Sequence, residues 1–287
     1  MQNIIDIKNH VKSIKDTAQI TKAMEFISVS KMRKANDKYR KNVRYFMRVR
    51  QILKDILNHK GEIEHSYLRH RDTQRCAFVI IAGDNGLAGE YNHRVLDFAL
   101  KVISEKKDEK SIFIIGQMAN EYFRREGIIP DVEFLYYAQE PTLEDARRIT
   151  ADLVGLYDED MIDEIQIIYT SEENKKNVAK TLRLLPLLKE DFATDLDIDI
   201  KSKADFEFDP SPEEVFDILA PQYVVGLTYS CLIQSVRCEH SERMKTMHEA
   251  TNNAKKMTDA LELEYHRARQ AQITTELTEI SSFKSEK

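Results

Sequence analysis

The chain has 287 residues, 43 basic and 49 acidic side chains for a net charge of −6, no tryptophan, and only 8 glycines and 6 prolines. Average usage puts Gly plus Pro at roughly 12% of a chain, more than twice this share. The balance excludes collagen, a turn-dense all-β sandwich and a Pro/Ser-rich disordered protein. It points to long helices, because Gly and Pro are the residues that end them.

Residues 3–58 contain neither breaker except beyond their end, where Gly61 is the first. The opening seam Ile4, Ile7, Val11, Ile14, Ala18 steps by three and four, a heptad pattern. The apolar stripe is read onward through Ile20, Met24, Ile27, Met32, Ala35, Tyr39, Val43, Phe46, Val49, Leu53 and Ile56. A helix of this length would run about 80 Å at 1.5 Å per residue and needs a partner helix alongside it. It is also strongly basic: residues 8–54 hold 14 Lys/Arg against 3 acids. A basic rod implies an anionic partner, whether nucleic acid, a membrane surface or acidic protein loops.

Residues 59–75 are polar and read as a linker. Cys76–Ala82 is a solid apolar run, the signature of a buried parallel strand. Gly83–Asn92 is a Gly-punctuated turn entering a helix over Tyr91–Ser104. Strand Ile112–Gly116, helix Gln117–Glu126, strand Val132–Tyr137, helix Leu143–Tyr157 and strand Glu164–Thr170 follow, and this alternation predicts a Rossmann-like, doubly wound α/β layer. Thr181–Leu188 reads as a further strand, at an edge because Pro186 cannot donate to a ladder. Residues 189–217 carry 11 acids and 3 lysines. A turn at Asp209–Pro212 precedes a short helix from Glu213, and a second long rod covers Gln222–Ser282, with Gly226 the last breaker. Its seam is read as Leu227, Cys231, Gln234, Cys238, Ser241, Met244, Met247, Thr251, Ala254, Thr258, Leu261, Tyr265, Ala268 and Gln272. The seam is small and polar, which permits close approach but weaker adhesion than Leu-rich packing. Two rods at the two ends of one chain most simply pair antiparallel. The expected divisions are 1–58 and 222–287 as coiled-coil helices, 59–75 as linker and 76–221 as the α/β domain.

No stretch reaches about 18 consecutive apolar residues, so no membrane span is expected. The N-terminus lacks the layout of a signal peptide, and the chain reads as soluble and cytosolic. Cys76, Cys231 and Cys238 are odd in number and lack CxxC spacing, so they read as buried reduced thiols. The eight histidines show no HExxH, and His240 and His248 are too far apart to share a metal, so solvated or capping roles are expected. Gly83-x-x-Gly86-x-x-Gly89 sits where phosphate-binding loops sit, but it is neither GxGxxG nor a Walker A, and a tight turn with φ > 0 explains it better. Asp84 and His93 suggest acid–base work only if a nucleophile stood beside them. The basic rod lacks the interleaved aromatics that stack bases, so nucleic acid is not expected.

Three stretches resemble one family. Ile14–Asn36 (IKDTAQITKAMEFISVSKMRKAN) is similar to the N-terminal signature of the F-type ATP synthase γ subunits. Met247–Glu279, with its core Arg267-Ala268-Arg269-Gln270-Ala271, resembles their C-terminal signature. GDNGLAGEYN is similar to their Gly-Leu-Cys-Gly loop, with Ala88 where Cys is usual. The resemblance spans both ends and the middle. It implies a rotating central stalk: an antiparallel coiled coil within a ring of α and β subunits, and an α/β foot on the membrane c-ring beside the ε subunit. It implies no catalysis by the chain itself, no cofactor and no metal. At matched positions Met24, Arg243, Arg267, Arg269 and Gln270 would contact β subunits, and Phe206, Phe208 and Asp209 would contact the c-ring and ε. No cysteine-pair insert is present, so thiol control is not expected, and a peripheral place on the cytoplasmic face of a bacterial membrane is. The competing reading is a nucleotide-binding α/β enzyme dimerised through its rods.

Overall fold

The computed structural model describes residues 4–58, 63–69, 71, 75–106, 109–134, 138–192 and 208–285, with side chains as far as 278. In chain order the elements are α1 (Ile4–Leu57), β1 (Arg75–Ile81), α2 (Tyr91–Glu105), β2 (Glu109–Ile115), α3 (Gln117–Arg125), β3 (Val132–Phe134), α4 (Leu143–Asp158), β4 (Glu164–Glu173), β5 (Lys176–Leu185) and α5 (Pro212–Ser285). The chain divides into two compact units: residues 1–30 with 243–287, and residues 31–242.

The larger unit is built on a five-stranded sheet of order β3-β2-β1-β4-β5. β1 pairs parallel with β2 and with β4, and β2 with β3. Successive β1 residues face opposite layers. Cys76, Phe78 and Ile80 pack with Val95, Leu96 and Ala99 of α2 and with Ala119 and Phe123 of α3. Ala77, Val79 and Ile81 pack with Ile149 and Leu153 of α4, Leu53 and Ile56 of α1, and Phe216 and Val224 of α5. A strand buried on both faces reads as an unbroken apolar run, which is why β1 was legible. Threonine at 142 starts α4 with a capping box: Asp145 N–H donates to Thr142 Oγ1 (3.2 Å), and Thr142 N–H to the Asp145 carboxylate (2.8 Å).

The last strand is longer than expected and antiparallel to β4, joined through Asn174 and Lys175, both at positive φ (48° and 63°). That is the hairpin turn whose twist matches the flanking strands. β5 is an edge strand, as Pro186 directly after it required. The expected break before the second rod is absent, since α5 runs unbroken from Pro212 through Pro221. An interior proline costs about 3 kcal/mol. Burial of Phe216, Ala220, Tyr223 and Val224 around it offsets that cost. The most apolar stretch of α5 would pass for a membrane span by length and composition, but over half of it is buried inside the protein. Gly226 is a close-approach site: a Cβ there would lie 1.6 Å from Phe46 Cε1 of α1.

The smaller unit is an antiparallel pair of helices. Thr21 and Thr251 share a hydroxyl–hydroxyl bond of 2.8 Å, Lys15 meets Glu262 at 2.6 Å, and Glu25 meets His248 at 3.3 Å. Rising numbers on one helix oppose falling numbers on the other. Buried hydroxyls at the seam need partners, and they find them within their own helix: Ser28 on Met24 O, Thr251 on Met247 O, Thr258 on Ala254 O, each at 2.8–2.9 Å.

Candidate functional site

The seam of the helix pair departs from the expected stripe. After Ala18 it continues through Thr21, Glu25 and Ser28, not through Ile20 and Ile27, which are 60% and 56% exposed. The heptad phase, once set by Ile7 and Ile14, carries small and polar residues inward and turns the larger apolar ones out. Ile20, Met24 and Ile27 are spaced i, i+4, i+7 and so share one helix face. Met24 is half-buried within that stripe, and Phe26 stands beside it at 62% exposure. Lys22 holds Glu25 at 3.0 Å and lies 4.7 Å above the Phe26 ring. The Lys22 ammonium, which hydrogen-bonds Glu25, pulls the Glu25 carboxyl below its usual range, against burial.

On α5 the burial expected as far as Gln272 fades earlier. Ala268 is half-buried, and residues 269–278 are exposed on every face. Arg267 and Gln270 are exposed and share a face with Leu263 (53% exposed) and Leu277 (62% exposed). Arg269, also exposed, lies about a third of a turn from Gln270, at 100° per residue. Arg243 is buried in the chain, at 8% exposure. In the larger unit Asp209 is exposed, and Phe208 is half-buried and packs against the core. Phe206 lies outside the described residues. Thr251 was read as seam, while Thr21, Glu25 and His248 were missed by sequence reading. For Thr21 and Glu25 the signal, small or polar residues at three–four spacing from Ala18, was present but outweighed by Ile20 and Ile27.

The Gly83–Gly89 loop lies at the switch point of the sheet, between β1 and the crossover to β4, where open α/β folds take their ligands. Here the crevice is filled by the chain itself. A Cβ at Gly83 would meet the Glu239 carboxylate of α5 at 3.0 Å. Ala88, Tyr91 and Cys238 form one buried cluster, and Thr170 N–H donates to Ser235 Oγ at 3.4 Å. The amides that would cradle a phosphate are occupied: Gly83 N–H by Asn92 Oδ1 (2.9 Å), Gln117 N–H by Asp84 Oδ1 (3.2 Å). Asp84 and Glu239 are both 6% exposed, and two carboxylates in a low-dielectric crevice repel an anion. This disfavours the nucleotide reading. Positive φ falls on Leu87 (60°) and Gly89 (56°), so the turn expectation holds at Gly89 alone of the three glycines. Gly83 is kept bare by packing. His93 is exposed while Asp84 is buried, so they form no matched acid–base pair.

All three cysteines are buried, and none is in a disulfide. Burial pushes the Cys231 thiol far up and that of Cys238 to about 12. His65 caps a single 3₁₀ turn at Ser66–Leu68 by accepting Tyr67 N–H at Nδ1 (3.0 Å). His240 is buried, contrary to the expectation of solvated or capping histidines. No cluster of three metal-binding side chains exists among the described residues. A cavity of about 520 Å³ between α1, α4 and α5 is lined by Tyr45, Phe46, Tyr67, Val154 and Val225, with Arg147 its one charged group.

These features define a class: a protein of long antiparallel helices and a doubly wound α/β unit whose ligand crevice is closed by its own terminal helix. The sequence profile of the ATP synthase family matches residues 3–283. The ATP synthase gamma chain of Caldanaerobacter subterraneus subsp. tengcongensis is 38% identical, covering 96% of this chain and 97% of that one. That of Acetivibrio thermocellus is 36% identical, covering 98% and 97%. The chain belongs to the ATP synthase gamma chain family. Solved structures agree on the fold. A rotor chain of the Euglena gracilis mitochondrial ATP synthase superposes with a TM-score of 0.63 at 15% identity, over 94% of this chain and 98% of that one. A chain from the central stalk and c-ring of the Tetrahymena thermophila enzyme gives 0.59 at 19% identity, over 80% and 99%.

Proposed function

We propose that this chain is the turning central stalk of a bacterial F-type ATP synthase, peripheral to the cytoplasmic face of the membrane. It catalyses nothing itself. Its helix pair turns inside a ring of α and β subunits, and its α/β unit meets the c-ring and the ε subunit. The observation that carries the reading is the far end of α5. Residues 269–278 form a helix exposed on every side, with Ile273 and Leu277 uncovered. Helices of this length are marginal alone in water, so such an end requires a sleeve.

The surface offered to that sleeve suits a bearing. The Ile20–Met24–Ile27 stripe and the Leu263–Leu277 face supply apolar contact, while Lys8, Lys12, Arg267 and Arg269 supply exposed positive charge. Charge against acidic loops attracts at long range without one exacting geometry. Within this reading Met24, Arg267, Arg269 and Gln270 belong to the β-facing surface and Phe208 and Asp209 to the foot, while Arg243, buried within the chain, offers no surface to β.

Co-expression with α and β subunits tests it: one copy of this chain per ring is expected. Arg269→Ala with Gln270→Ala is expected to weaken assembly or coupling while leaving the chain's own unfolding midpoint unchanged, because both residues are exposed. A double variant that assembles and drives rotation like the parent would refute the role given to those residues. Saturable micromolar binding of ATP, ADP or NAD by the isolated chain would refute the rotor in favour of the enzyme.

A further inference from the structure

The tip of the β4–β5 hairpin grips α5 over residues 235–242. Thr170 N–H donates to Ser235 Oγ (3.4 Å). Asn177 Nδ2 donates to Cys238 O (3.3 Å) and to Glu242 Oε1 (2.8 Å). Arg237 completes the set: Nη2 lies 3.1 Å from Glu172 Oε2 of β4, Nη1 donates to Asn36 Oδ1 of α1 at 3.4 Å, and the guanidinium sits 5.5 Å above the Tyr39 ring of α1. One side chain thus ties both long helices to the sheet.

These ties are poorly suited to be read as stabilisation alone. Arg237 is largely buried, with 17% of its side chain exposed, and its Nε–H is buried without an acceptor. Leaving a buried donor of a charged group unsatisfied costs stability. What a planar, multiply tethered guanidinium supplies is angular definition, because its donors have fixed directions. Ties spread around α5 and across to α1 resist rotation of those helices about their own axes, which apolar packing resists weakly because it is not directional.

We propose that Arg237, with Asn177 and Glu172, is the torsional clamp through which torque passes between the sheet and the two long helices. These are positioning residues and touch no reacting group. The inference rests on the rotor reading above. Arg237 and Asn177 supply five of these six ties.

The test uses the assembled complex held by its β subunits, with a bead on a cysteine introduced as Lys101→Cys at an exposed position (73% side-chain exposure). Angular fluctuation of the bead is measured in the stalled state. Arg237→Met with Asn177→Ala is expected to raise the angular variance about twofold, since most of the ties that set local rigidity are gone. ATP hydrolysis without the bead should be unchanged, and Arg237→Lys should recover part of the stiffness. Glu172→Gln, at the more exposed end of the pair, repeats the measurement if the double variant does not assemble. A rotating parent with variants of unchanged variance overturns the clamp alone. A parent complex that does not rotate overturns the rotor reading and the clamp with it.

Discussion

Replacing Gly226 with alanine places a methyl 1.6 Å from Phe46 Cε1, 1.9 Å from Cδ1 and 2.3 Å from Cζ. Carbon atoms pack at about 3.5–4.0 Å, so the ring must move by about 2 Å. Cavities of about 520 and 160 Å³ both border Phe46, so the ring can swing aside instead of prising α1 from α5. The move forces an off-rotamer ring and lost packing, an overpacking cost of about 1–3 kcal/mol. Alanine returns up to about 1 kcal/mol of helix propensity. The net expectation is a destabilisation of about 1–2 kcal/mol, read as a lowered urea midpoint at constant m-value. A cycle with Phe46→Ala isolates the clash: with the ring gone, Gly226→Ala should be neutral or stabilising. If Gly226→Ala alone raised the midpoint, the close approach would not exist and the glycine would be a mere passenger.

Lys175 occupies the second left-handed position of the β4–β5 turn, so Lys175→Gly should stabilise the chain by about 0.5–1 kcal/mol in thermal or urea unfolding; a loss would contradict the turn assignment. The three buried thiols, with Cys231 and Cys238 held protonated by burial, should ignore a thiol reagent at pH 8 in the native chain and react fully once unfolded. Burial lowers the His65 pKa below its usual 6.5. The unfolded chain therefore binds the proton more readily, and this stabilisation is complete above pH 6.5 and lost as pH falls through that value toward the folded pKa. Protonation of Nδ1 also removes the acceptor for Tyr67 N–H. His65→Asn keeps a capping acceptor and does not titrate, so its urea midpoint should fall less than the parent's between pH 7 and 5.

The fold was largely legible in the sequence, and so was the exposure of Arg269 and Gln270, whereas Arg243, expected at a contact surface, is buried. The seam itself was misread at Ile20 and Ile27, because hydrophobicity was followed where helical phase governs. Ser28 can be buried only because its hydroxyl bonds the Met24 carbonyl of the preceding turn, a compensation that composition does not display. The glycine loop was placed correctly between strand and helix. That the crevice is closed depends on Glu239 and Cys238, about 150 positions further along the chain, so no local pattern carries it.

The sequence by itself determined the helices and the alternating α/β layer. With no breaker before Gly61 or after Gly226, nothing interrupts backbone hydrogen bonding at either end, and every interior element is bounded by the Gly, Pro and polar turns between. These are local effects, each decided within a few residues. Only the tertiary structure decided what those elements meet. It set the phase of the helix pair, the antiparallel return of β5, the glycine that lets Phe46 lie against α5, and the filling of the switch point by Ser235, Cys238 and Glu239. Each depends on which distant residue comes within a few ångströms, and that is fixed by the packing of whole elements against one another.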